Sequence, residues 1–100
     1  MKLNVFERVI LLNVLPKTGN FTNLKILRKL GESLSFNEEE NAKLNFRQEG
    51  EMTLWNEVEI IKNIKIGNVA TALIVKELTK LDEEEKLTND HFSLCEKFLT

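Results

Sequence analysis

One cysteine, one proline, one histidine and four glycines stand in a chain of 100 residues, and tyrosine is absent. A lone Cys95 excludes an intrachain disulfide, and with it a small secreted scaffold held by cross-links. The glycines, at positions 19, 31, 50 and 67, are too scattered for a phosphate-cradling loop. The longest apolar runs are four residues, as in Val9–Leu12. A bilayer span needs about 20. No excess of one charge sign exists either, since the net charge is −2. The whole chain therefore has no general pull toward nucleic acid or anionic membrane. Asn4, Glu7 and Arg8 interrupt the first apolar stretch, which a signal peptide does not tolerate. The expected location is the cytoplasm.

What is present is an ordinary globular composition, with 42% hydrophobic and 30% charged residues. That suffices for one domain over residues 1–100 with its own core. Charge comes in blocks. Residues 1–36 carry +4 and residues 37–60 carry −5, followed by +3 over 61–80 and −4 over 81–100.

Hydrophobic periodicity divides the chain. Leu3, Phe6, Ile10 and Val14, with Leu11, predict an amphipathic helix over 3–15, with Glu7 and Arg8 off its apolar stripe. Leu24, Leu27, Leu30 and Leu34 predict a second helix over 21–34, capped by Asn20 or Thr22. Gly31 weakens its last turn and would let a neighbouring element approach. Ser35 with Glu38 reads as a capping box for a short helix over 36–43. The period then shortens to two. Leu44 and Phe46, a Glu49-Gly50-Glu51 turn, then Met52 and Leu54 predict a β-hairpin. Val58, Ile60, Ile64 and Ile66 predict a third strand, with a short helix as the alternative. Asn68 would cap a helix over 69–82 buried through Ala70, Leu73, Ile74, Leu78 and Leu81, with Ala72 permitting close packing. Thr88 would cap a last helix over 89–99 with Phe92, Cys95, Phe98 and Leu99 inward. Leu27, Leu73 and Phe92 are predicted core residues. The expected fold is α+β, with helices flanking a small antiparallel sheet.

Helix, helix, short helix and hairpin is also the element order of a winged helix. The would-be recognition helix carries Glu38, Glu39 and Glu40, which would repel a phosphate backbone. Nucleic acid is therefore the lesser expectation. His91 and Cys95, four residues apart on a helix, could share a face, but no further ligand or nucleophile motif accompanies them. No catalytic residue, metal or cofactor is assigned, and the chain reads as a non-enzyme. Glu38, Glu39, Glu40, Glu49 and Glu51 form an acidic surface on two protruding elements, with Trp55 as core residue or interface anchor. These six are the candidate partner-binding residues. The partner expected is a protein, and homo-oligomerisation stays open.

Two resemblances follow. Leu15-Pro16-Lys17-Thr18-Gly19 resembles a sortase sorting signal. Such a signal precedes an apolar segment and a basic tail, whereas Asn20–Asn23 and an amphipathic run follow here. The segment reads instead as a helix stop and turn. More broadly, the chain resembles small proteins of phages and mobile elements. The resemblance rests on Glu7-Arg8, Leu11-Leu12 and Leu15-Pro16; on Gly19–Phe21, Leu24–Arg28, Phe36 and Glu38-Glu39; on Thr53–Trp55; and on Lys86–Thr88, His91, Ser93-Leu94 and Glu96–Phe98. It implies a phage or mobile-element origin and brings no activity with it; the expected role is that of an accessory protein modulating a host factor, with a virion assembly component as an alternative.

Overall fold

Asn4 accepts the Glu7 N–H at 2.8 Å through its side chain, and Glu7 returns the bond to the Asn4 N–H at 3.0 Å. This reciprocal cap starts the first helix in a computed structural model that describes residues 1–100. A two-residue strand β1 (Lys2–Leu3) precedes α1 (Val5–Val14), and α2 (Phe21–Leu34) and α3 (Glu38–Leu44) follow. The hairpin β2 (Arg47–Glu49) and β3 (Met52–Leu54) comes next, then β4 (Lys62–Asn63), α4 (Asn68–Glu83) and α5 (Phe92–Phe98). The fold is α+β, with five helices and two separate two-stranded antiparallel sheets. No helix is long and apolar enough to cross a membrane.

Pro16 follows the last residues of α1, and Asn20 caps α2 by accepting the Asn23 N–H. The Leu15–Gly19 segment is thus the connection between two helices. The cap of α3 is Asn37, not Ser35. Asn37 and Glu40 bond each other's backbone N–H groups, while the Ser35 hydroxyl donates to the Gly31 carbonyl at 2.8 Å. Two caps compete within three residues, and the one nearer the helix wins. Asn45 closes α3 in the left-handed conformation at φ 48°.

The predicted third strand is reduced to β4, which pairs with β1 through Lys2↔Asn63 and Leu3↔Lys62 rather than with the hairpin. A strand extends only as far as its partner. Here the partner ends at Asn4, where the chain turns into α1. Ile64 lies in the core, whereas Val58 and Ile61 are exposed.

The core lies among α1, α2, α4 and α5. Its fully buried members include Leu3, Leu11, Leu34, Ile74, Leu78 and Leu94. Leu27 is buried as predicted, but Leu73 is only half-buried and Phe92 is 64% exposed. The last element explains Phe92. Thr88 is the cap, but the first turn is a 3-10 turn over Asn89–His91, which rotates the register of α5 so that Leu94 and Phe98 face inward. Gly67 rather than Asn68 precedes α4, Ala72 is exposed, and α4 stops inside the acidic run, with Glu85 at φ 56°.

Candidate functional site

The predicted acidic residues divide into two groups. Glu38, Glu39, Glu49 and Glu51 are exposed. Glu39 makes only a solvent-exposed pair with Lys43, at 3.2 Å one helical turn on. Glu40 is different. Its side chain is 12% exposed and pairs with Arg8, which is fully buried.

Arg8 was expected outside the apolar stripe, and the structure corrects this. Its guanidinium donates to both carboxylate oxygens of Glu40, at 2.7 and 3.2 Å, and to the carbonyls of Leu34 at 3.1 Å and Ser35 at 2.7 Å. Those two carbonyls end α2 and would otherwise lack partners. The face of Phe36 lies 4.0 Å from the guanidinium carbon. One side chain of α1 thereby fixes the end of α2, the turn after it and the start of α3. A planar fork suits this task, and no other side chain offers as many donors in one plane.

Glu7, its neighbour, is also buried, against the same expectation. Besides capping α1, it accepts hydrogen bonds from the Ser93 hydroxyl and from Lys97 Nζ, the latter at 2.7 Å. Lys97 donates also to the Lys2 carbonyl at 3.0 Å. Glu7 thus ties α1 to α5 as Arg8 ties it to α2 and α3. Polar groups are tolerated there because each is partnered; no buried side-chain nitrogen or oxygen lacks a hydrogen bond.

An aromatic row continues from the clamp to the hairpin. Phe36 meets Phe46 at 5.1 Å between ring centres, Phe46 meets Trp55 at 5.7 Å, and Trp55 meets Phe6 at 6.1 Å. All three contacts are tilted, the arrangement aromatic pairs favour. Trp55 is half-buried, supporting the hairpin while leaving part of its surface open. Asn56 secures the hairpin base by donating its N–H to the Leu44 carbonyl at 2.7 Å and its side-chain amide to the Lys43 carbonyl at 3.2 Å. At the tip, Gly50 adopts φ 62°, which favours glycine.

His91 and Cys95 hold structural positions. His91 Nδ1 accepts the Thr88 N–H at 3.0 Å, taking the place glutamate fills in an ordinary capping box. Burial pushes the Cys95 thiol up from its usual range, with Asp82 adding to the effect, so the reactive thiolate is disfavoured.

The two inner carboxylates titrate low. Hydrogen bonds from Arg8 hold Glu40 down; burial opposes this, while the Asn37 N–H and the charges of Arg8 and Lys62 reinforce it. For Glu7, burial alone would raise the carboxyl. Lys97, Ser93 and the Asn4 N–H outweigh it and bring the net shift below the ordinary value. A depressed folded-state value contributes stability that is complete above the unfolded value, about 4.3. That stability is lost as pH falls through the folded values. Urea melts from neutral pH down to about pH 3 should show a steep acid limb. Glu40→Gln should flatten it, and equal slopes in both proteins would contradict the assignment.

No protein-family model, curated protein or solved structure matches the chain.

Proposed function

We propose that this chain is a non-enzymatic protein-binding module. It meets a basic partner through Glu38 and Glu39 on α3 and Glu49 and Glu51 at the hairpin, with Trp55 as the adjoining anchor. The observation that carries this reading is the contrast between these four exposed carboxylates and Glu40. Glu40 turns inward to Arg8, which fixes α3, while Asn56 and the Phe46–Trp55 contact fix the hairpin, so both acidic elements stand on ordered supports. A rigid charged face orders little on binding, so less of its interaction energy is lost to immobilisation. Rim charges of this kind act mainly on the association rate, and an aromatic anchor acts on dissociation. The resemblance to phage and mobile-element proteins fits an accessory protein acting on a host factor in the cytoplasm.

The test is affinity capture from a bacterial lysate with mass spectrometry, comparing wild type with a variant carrying lysine at Glu38, Glu39, Glu49 and Glu51. Glu40 is left intact because it belongs to the clamp. For a partner captured by wild type, the reversal should slow association roughly tenfold or more and reduce its salt dependence. The melting temperature should fall by only several degrees, because Glu38 and Glu39 lie in the first turn of α3 and Glu39 pairs with Lys43, yet the fold should remain. Equal capture by both proteins would remove the reading. The winged-helix alternative makes the contrary forecast. Wild type would shift duplex DNA at physiological salt, and the lysine variant would bind it more tightly.

A further inference from the structure

The opposite charge gathers elsewhere. A trough of about 490 Å³ runs between the end of α1 and the outer side of α2. Its floor is apolar, formed by Leu12, Leu15, Leu24 and Leu27. Its polar rim is cationic: Lys17, Lys25 and Arg28 line it, no carboxylate does, and none of the three forms an ion pair. Phe21 stands at one end, 76% exposed, with Lys25 Nζ 5.4 Å from its ring centre.

Gly31 marks the other end. Glycine is among the poorest helix formers, and this one lies in the last turn of a 14-residue helix, still inside its hydrogen-bonded span. The sequence suggested that it lets a neighbouring element approach. No such element is there: a Cβ built on Gly31 meets nothing within 4 Å. Internal packing does not require the glycine, and its missing side chain leaves the trough open. From Phe21 to Gly31 the helix rises about 15 Å, the length of roughly ten residues of a facing helix.

We propose that this trough docks an amphipathic helix of a partner protein whose apolar side chains are flanked by aspartate or glutamate. The apolar floor takes the ridge of the incoming helix, in the manner of helix-in-groove recognition, and the three cations meet its carboxylates. The concave floor suits a protruding ridge better than a flat lipid surface, and leucines offer no hydrogen bonds to phosphates or bases. This surface is separate from the acidic face and carries the opposite charge, so either assignment can fail without the other.

The experiment selects displayed random peptides of about sixteen residues on the wild-type chain alone and then measures the survivors against a Gly31→Leu variant. The variant fills the end of the trough, and a better helix former in open space leaves the fold intact, which its melting curve checks. Survivors should carry apolar residues at i, i+3 or i+4 and i+7 with acidic residues beside them. Synthetic survivors should lose roughly tenfold or more in affinity for Gly31→Leu and for the double variant Lys25→Glu, Arg28→Glu. The proposal is overturned if no peptide survives, if survivors are basic, or if they bind both variants as well as wild type. It also fails if phosphatidylglycerol vesicles or single-stranded DNA displace them, or if sedimentation shows a dimer that Gly31→Leu dissociates.

Discussion

Arg8→Ala should destabilise the chain by about 3–5 kcal/mol, the range for breaking a buried pair from one side. The substitution leaves the Glu40 carboxylate, 12% exposed, without its counter-charge and two carbonyls at the end of α2 without donors. Arg8→Lys should recover little. Lysine keeps the charge but lacks the planar fork that reaches Leu34, Ser35 and both oxygens of Glu40 at once, and it cannot stack flat on Phe36. Urea melts of the two variants measure this, and a loss below about 1 kcal/mol in both would refute the clamp. A double variant, Arg8→Met with Glu40→Gln, should be more stable than Arg8→Met alone, because no orphan carboxylate remains. Amide exchange adds a local readout. The N–H groups of Asn41 and Asn45, which bond the carbonyls of Asn37 and Asn41, should exchange faster in Arg8→Lys than those of α4. Loosening α3 would also spoil the fixed acidic face proposed for partner binding.

The clamp was only partly legible in the sequence. Helix α1 was expected to bury one stripe, Leu3, Phe6, Ile10 and Val14. It contacts α2, α4 and α5, so more than one of its faces is covered. Arg8, Leu11 and Leu15 lie at i, i+3 and i+7, and all three are buried; Glu7, Leu11 and Val14 lie at i, i+4 and i+7, and they too are buried. A binary reading assigns charged residues outward by type, and so it sent both Glu7 and Arg8 to solvent. Asn4 followed three residues later by Glu7 is a cap pattern, and it would have placed Glu7 at the start of the helix rather than on its free surface. The partners of Arg8 lie 26 to 32 residues away, at the far end of α2 and on α3. No local pattern specifies them. The acidic face read more directly, since Glu38 and Glu39 follow a cap and Glu49 and Glu51 flank a turn glycine, all of them local features. Glu40 shared that local chemistry and still turned inward, because tertiary pairing decided its side.

The central helix carries the second large expectation. Ile74→Ala should cost roughly 2–5 kcal/mol, the usual range for a large core aliphatic. Ile74 is fully buried on α4, which packs against α1, α2 and α5, so few neighbours can move to fill the space. For a domain of this length each kcal/mol lowers the melting temperature by about 4–8 °C. Total stability of about 5–15 kcal/mol leaves little reserve, so the variant should melt far below wild type or fail to accumulate folded. Leu73→Ala, at the neighbouring half-buried position, should lose less. Phe92→Ala should stay within about 0.5 kcal/mol, as an exposed side chain does, although the helical spacing alone ranked Phe92 with the core. The three melts together test the register of α4 and the 3-10 turn that rotates α5. A loss at Phe92 equal to that at Ile74 would mean that α5 continues straight from Asn89 as a regular helix, with Phe92 inward and Leu94 displaced from the core.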